Sequence, residues 1–134
     1  MHFKVVGDEI LRTVIATKGS STAFAAGMTV AVSSGLITKG AVGSTKLSYA
    51  PKALVNGNTQ CEVTVGNDFV LEGTGDAVFA QTYAGSAVDQ VDDTNQYIDV
   101  GTSSTLVFMV DISENAGTVG SASGIRVRLN KPIF

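Results

Sequence analysis

An all-β fold, a small sandwich or barrel, is what this sequence predicts, and three observations predict it. Val, Thr, Ala and Gly dominate its 134 residues, while the 3.6-residue periodicity of an amphipathic helix is almost absent. Strand-like runs recur at intervals of about 8–12 residues, the spacing typical of sandwiches and small barrels. Between them stand Asn56-Gly57, Gly66-Asn67-Asp68, Gly73-Thr74-Gly75-Asp76 and Asn115-Ala116-Gly117, whose residues tolerate the positive φ of tight turns. The length suits one hydrophobic core, so residues 1–134 are read as a single domain without internal repeats.

Taken in order, Ile10 to Thr17 is rich in β-branched residues and reads as a strand buried on much of both faces. Met28 to Val32, then Ser33-Ser34-Gly35, then Leu36 to Thr38 reads as strand, turn and strand. Cys61-Glu62-Val63-Thr64-Val65 alternates, which places Cys61, Val63 and Val65 on one face and Glu62 and Thr64 on the other. Phe69 to Leu71, Ala77 to Gln81, Tyr97 to Val100, Thr105 to Ile112 and Gly124 to Leu129 complete the expected strands. Short helices are weakly signalled around Ser21 to Ala26 and Tyr83 to Val88.

Apolar residues make up 44% and charged ones only 16%, against a usual quarter, so the chain is short of charge to cover its own surface. Such a surface points to an assembly component. Disorder is not expected, because disorder needs low hydrophobicity and high net charge. No run of about 18 apolar residues exists, which excludes a membrane-spanning helix. Asp8 and Glu9 precede any long apolar stretch, a poor signal peptide. Synthesis in a reducing cytoplasm is the expectation, and the single Cys61 forbids an internal disulfide.

Charge is distributed unevenly. Lys4, Arg12, Lys18, Lys39, Lys46 and Lys52 precede a stretch from Ala53 to Ser123 that has no Lys or Arg. That stretch holds Glu62, Asp68, Glu72, Asp76, Asp89, Asp92, Asp93, Asp99, Asp111 and Glu114, and Arg126, Arg128 and Lys131 follow it. Two readings stand: complementary faces on neighbouring subunits, or strands that interleave so that the charges mix on one surface.

The residues offer little for catalysis. The only His is His2, so a Ser-His or Cys-His arrangement lacks a well-placed base. Cys61 sits on the apolar face of its strand and reads as a core residue. Gly120-Ser121-Ala122-Ser123-Gly124 has Ala where a nucleophile elbow needs Ser. Gly35 to Gly40 has phosphate-loop spacing, but Ala41-Val42 follow where Lys and Ser or Thr are required. Glu62 and Glu72 could face each other as a glycosidase pair, although the chain has no Trp and three Tyr to stack a sugar. Asp89 to Asn95 gathers oxygen donors of the kind calcium takes, without the EF-hand spacing; a solvated acidic loop is the plainer reading. An isoelectric point of about 4.9 gives no support to nucleic-acid binding. No enzyme activity, cofactor or metal is expected.

The ends of the chain are apolar. Met1, His2, Phe3, Lys4, Val5 and Val6 open it, and Pro132, Ile133 and Phe134 close it. Free termini are usually polar and frayed, so these nine residues are the candidate interface, either to a partner or to the chain's own core. An extended N-terminal segment could add as a strand to a partner's sheet edge.

Ala26-Gly27-Met28-Thr29-Val30-Ala31-Val32-Ser33-Ser34-Gly35-Leu36-Ile37, the strand Gly124-Ile125-Arg126-Val127-Arg128-Leu129-Asn130 and the strand entry Gly73-Thr74-Gly75-Asp76-Ala77-Val78-Phe79 together resemble the capsid decoration, or head cement, proteins of tailed phages. The resemblance is one of pattern across about residues 10–130. It implies a jelly-roll or β-tulip-like domain with an extended N-terminal arm over residues 1–8. It further implies a non-enzymatic virion protein, often a homotrimer, on the outside of an icosahedral head. There it would clamp neighbouring major capsid protein subunits, with no nucleic-acid or membrane partner. Other expectations compatible with the composition are a head or tail fibre component and a carbohydrate- or surface-binding module that would present Tyr49, Tyr83 or Tyr97.

Overall fold

In the computed structural model, which describes residues 2–7, 11–19, 25–52, 60–111 and 119–134, the chain is all-β with several sheets packed in one small domain. The strands are β1 (Lys4–Val5), β2 (Thr13–Thr17), β3 (Met28–Ser33), β4 (Leu36–Lys39), β5 (Ser48–Ala50), β6 (Gln60–Thr64), β7 (Leu71–Gly73), β8 (Ala87–Val91), β9 (Tyr97–Asp99), β10 (Phe108–Val110) and β11 (Ile125–Leu129). A 3₁₀ turn, Gln81–Tyr83, precedes β8.

The strands form two rolls. The larger is a six-stranded sheet in the order β1-β7-β11-β10-β8-β9. Its far edge does not stay open, because the chain leaving β7 returns to β9: Ile98 N–H donates to Thr74 O at 2.8 Å and Asp76 N–H to Ile98 O at 2.9 Å. The smaller roll joins β2 to β6 and β3 to both β4 and β5 in antiparallel ladders. A parallel bridge at Lys18 and Ile37 ties the end of β2 to β4. Tyr49 N–H, donating to Thr64 Oγ1 at 2.9 Å, ties β5 to β6.

Two strands serve both rolls. On β3, Met28 and Val30 belong to the smaller core with Ile37, Ala50, Cys61 and Val63, while Ala31 joins Leu47 and Tyr49 in the larger core. Alternate side chains of a strand point to opposite faces, so β3 and β5 form a wall buried on both sides. The larger core is built from Leu71, Phe79, Val88, Ile98, Phe108, Ile125, Val127 and Leu129 around that wall.

A buried polar clasp locks the rolls together. Gln96, fully buried between β8 and β9, accepts from Thr29 N–H at 2.8 Å and donates to Thr29 O at 3.0 Å and Gly40 O at 3.1 Å. Gly40 N–H reaches Thr29 O at 2.9 Å, one of the two bonds an antiparallel pair exchanges. The Gln96 amide stands where the reciprocal bond would run, bridging Thr29 N–H and Gly40 O. Beside it Gln90 Oε1 accepts from the Thr29 hydroxyl. A Cβ on Gly40 would collide with that hydroxyl, which accounts for glycine here.

The β3–β4 hairpin matches its sequence pattern. Its turn is Ser34-Gly35, with φ of 50° and 77°, a combination whose twist suits a two-residue hairpin. Ile125–Leu129 also forms as expected and alternates buried and half-buried residues. The expected helix at Ser21 to Ala26 lies largely outside the described residues, and Ala26 stands in a turn.

Several expectations are corrected. Val14 and Ile15 are both exposed on β2, and as neighbours in a strand they point to opposite faces, Val14 to the side of its cross-strand partner Val63 and Ile15 to that of Glu62. Thr64 does lie on the face opposite Cys61 and Val63, and it is buried there with its hydroxyl accepting from Tyr49 N–H of β5. Phe69 is buried ahead of β7, which runs over Leu71–Gly73 instead. Ala77 to Gln81 forms no strand: Phe79 exchanges backbone bonds with Ser121 and Gly120 and sends its ring into the core, while the Ala80 and Gln81 carbonyls accept from Tyr83 and Ala84 N–H in the 3₁₀ turn. The helix expected at Tyr83 to Val88 is replaced by β8, and Gly85, at φ 80°, turns the chain into it. The Thr105 to Ile112 strand shrinks to Phe108–Val110, since the N–H groups of 104–106 bond the Asp89 carboxylate rather than a ladder.

The N-terminal arm is also corrected over its described part. Lys4 and Val5 pair with Glu72 and Leu71, and Val6 N–H donates to Val70 O. Phe3 is buried against Phe108, with ring centroids 5.3 Å apart. Gly73 makes room for it, because a Cβ there would run into the Phe3 ring. The arm is therefore the edge strand of the chain's own sheet.

Gln96→Ala is expected to lower the unfolding free energy by roughly 3–4 kcal/mol, since Thr29 N–H and Gly40 O are stranded at about 1–3 kcal/mol each. Gln96→Glu should fare no better, because its carboxylate would face two carbonyl oxygens. Urea denaturation of the three proteins checks both.

Candidate functional site

The nine candidate interface residues divide between core and surface. Met1 lies outside the described residues. His2 Nε2 is 3.0 Å from Thr94 O, at the tip of the β8–β9 hairpin. Phe3 is in the core, Lys4 is an exposed partner of Glu72 at 3.3 Å, and Val5 packs against the core edge. Val6 is half-buried. Pro132 and Ile133 are half-buried, with Ile133 packed on the smaller core and its N–H on Ser48 Oγ at 3.3 Å. Phe134 is 46% exposed, and its carbonyl accepts from Gly66 N–H at 2.9 Å. Only Lys4 and Phe134 of the nine are both described and exposed.

The acidic loop is spent on its own architecture. Asp92, at φ 62°, accepts through Oδ1 from the N–H groups of Thr94 at 2.9 Å and Asn95 at 3.0 Å. Asn95 Nδ2 occupies Oδ2 at 3.1 Å. These bonds hold the Asp92 carboxyl below its ordinary value. Gln96 N–H closes on Asp92 O at 2.8 Å, so the turn aims the Gln96 side chain at Thr29. Asp89 is not a loop residue: it is buried in β8, where it accepts from Ser104, Thr105 and Leu106 N–H at 3.0, 2.8 and 2.8 Å. Burial pushes its pKa up, and the three amides outweigh that and hold it below the ordinary aspartate value.

Other sequence candidates are likewise taken up by structure. Glu62 and Glu72 stand in different sheets and are not brought together. Glu62 accepts from the Thr13 hydroxyl at 2.8 Å and pairs with Lys52 at 3.3 Å, and these two keep its pKa low. Cys61 is buried, with its Sγ 3.6 Å from Ala16 O and its thiol pushed up by burial against a smaller opposing pull from Lys18. Lys4–Glu72, Lys52–Glu62 and Arg128–Asp111, the last at 3.5 Å, each join a basic segment to the acidic middle. The interleaving reading of the uneven charge is thus met within one chain.

What the sequence reading missed is a set of exposed apolar side chains. Five of the eight exposed large apolar residues among those described lie between residues 14 and 42: Val14, Ile15, Val32, Leu36 and Val42. Ile15 is 62% and Val42 70% exposed. Val32 and Leu36 flank the β3–β4 turn, and every residue from Val32 to Leu36 is exposed. Val32 also borders a shallow cleft of about 230 Å³ closed by Gly43 to Lys46 and Ile133. The signal was available in the turn, since a tip of Ser33-Ser34-Gly35 between apolar residues must project them from the strand ends. Ile15 gave none, because an apolar β-branched run reads as buried.

No protein-family profile, curated protein or solved structure matches this chain.

Asp89→Asn is expected to cost about 1–3 kcal/mol at neutral pH, as one charge-assisted acceptor site is replaced by an amide N–H facing another donor. The sign with pH follows from the depressed native pKa of Asp89. Its contribution is complete above the ordinary aspartate value of about 3.9 and is lost as pH falls through the lower native value. The stability gap between wild type and variant should therefore narrow on acidification, as thermal melts from neutral to acid pH would read.

Proposed function

We propose that this chain is a virion structural protein that binds the outer surface of an icosahedral phage head, as a homotrimer, and cements neighbouring major capsid subunits against internal pressure. The observation that carries the reading is the exposed apolar set on the smaller roll, Val14, Ile15, Val32, Leu36 and Val42. Scattered single apolar residues are ordinary on a protein surface, but Val32 and Leu36 flank one hairpin tip that is exposed from end to end, an arrangement suited to a contact. Many modest contacts repeated over a lattice then supply strong attachment through avidity. The sequence resemblance supports the same role, with the capsid exterior as the location.

The contact differs from the one the sequence suggested. Residues 3–6 are committed to the chain's own core and edge, so attachment proceeds through Ile15 on β2 and the β3–β4 tip. A carbohydrate-binding module is less well supported, because its aromatic platform is not formed by the Tyr residues. Tyr49 is buried, Tyr83 meets Phe79 edge-on at 6.3 Å, and Tyr97 is half-buried.

The test is cosedimentation of the purified protein with heads, lacking it, of the phage that encodes it. Wild type should pellet with the heads. Ile15→Asp combined with Val32→Asp should stay in the supernatant, while its own stability changes by no more than about 0.5 kcal/mol per site, as for other surface changes. Equal binding by the double variant, or no binding by wild type, would contradict the reading.

A further inference from the structure

The seam that closes the larger roll is built from carboxylates. Asp89 on β8 stands directly opposite Asp99 on β9. On the other edge of β9, the chain leaving β7 bridges in parallel at Gly75 and Ile98, which brings in Asp76. Three acidic residues therefore lie side by side on three adjacent segments. They differ in what compensates them. Asp89 has the N–H groups of Ser104, Thr105 and Leu106, and Lys131 Nζ bonds Thr105 O at 3.1 Å in the same loop. Asp76 has one amide, Val100 N–H, at 3.2 Å from Oδ1. Asp99 follows Ile98 as Asp76 follows Gly75, so the parallel bridge sets these two residues side by side, and Thr102 N–H bonds the Asp99 carbonyl rather than its carboxyl.

Two carboxyl groups can bond to each other only when one carries a proton. When both are ionised they repel, and the cost falls on the few bonds that hold the seam. Those bonds are Asp76 N–H to Ile98 O, Ile98 N–H to Thr74 O and Val100 N–H to the Asp76 carboxylate itself. We propose that Asp76 and Asp99 form an acid-closed latch: a shared proton clamps residues 74–76 onto β9 and seals the larger roll, and loss of that proton loosens the seam locally.

The direction of the Asp99 pKa agrees. Burial raises it above the ordinary aspartate value, and Asp76 and Asp89 raise it further against the opposing Thr102 hydroxyl. A raised native pKa means that this pair's contribution to stability is present in acid and is lost as pH rises through that value. This is opposite in sign to Asp89, one strand away.

Amide hydrogen exchange of the intact protein tests the latch, with protection factors corrected for intrinsic rates between about pH 4 and pH 7.5, a range spanning the ordinary and raised carboxyl values. Protection at Asp76, Ile98 and Val100 should fall by about fivefold more than at Val110 and Val127, the scale expected for close like charges near a surface. Asp99→Asn and Asp76→Asn should each abolish that excess. Both keep the side-chain shape, and in Asp76→Asn the amide oxygen would still accept from Val100 N–H, so either variant carries the test if the other fails to fold. An excess absent from wild type, or retained in both variants, would overturn the proposal.

Discussion

Everything in this fold leans on how the backbone of β3 at Thr29 is satisfied. Thr29 sits in a wall with apolar cores on both sides and no water to serve its polar groups. A buried amide or carbonyl without a partner costs enough to forbid the arrangement. The Gln96 carboxamide removes that cost by offering one acceptor and two donor hydrogens, the complement of Thr29 N–H, Thr29 O and Gly40 O. The β8–β9 turn exists in its observed form to deliver this group. Asp92 gathers the Thr94 and Asn95 amides, and Gln96 itself adopts φ 58°, a left-handed conformation that non-glycine residues take at some cost.

From that clasp follows the division of surfaces. The smaller roll is completed against the larger one, the larger roll is closed by residues 74–76, and the N-terminal strand covers β7. Among the described residues, the β9 edge of the six-stranded sheet is closed by residues 74–76, and β1 is its other edge strand. Three ion pairs among the described residues join Lys4, Lys52 and Arg128 to the acidic middle of the same chain. Exposed apolar side chains are found on β2 and around the β3–β4 turn. This is why the proposed attachment uses apolar side chains of β2 and a hairpin tip.

The legible parts of the sequence were those where local pattern and tertiary role agree. Val30 to Ile37 carries two alternating strands around Ser34-Gly35, and Ile125 to Leu129 alternates without interruption. Strand β5 was illegible because Ser48-Tyr49-Ala50 is buried on both faces, so its small polar and apolar residues show no alternation. Strand β8 was hidden by Asp89 and Gln90, whose polarity argues for a loop until the amides of 104–106 and the Thr29 hydroxyl are known to meet them. The N-terminal residues were ambiguous for a different reason: an apolar end serves a partner's sheet or its own equally well, and only Gly73, with no side chain under Phe3, decides between them. Ile15 misled in the opposite direction, since nothing local marks a β-branched residue as exposed.

The clasp and the shared strands together should make the two rolls one cooperative unit. Cys61 reports on the smaller roll and is buried there, while Tyr83 and Tyr97 report on the larger. Equilibrium urea unfolding, followed in parallel by Cys61 thiol accessibility and by tyrosine fluorescence, reads both rolls at once. Coincident transitions with one midpoint and one slope are predicted, the signature of all-or-none unfolding. Exposure of Cys61 at clearly lower urea than the tyrosine change would show that the rolls unfold separately, and that the clasp does not couple them.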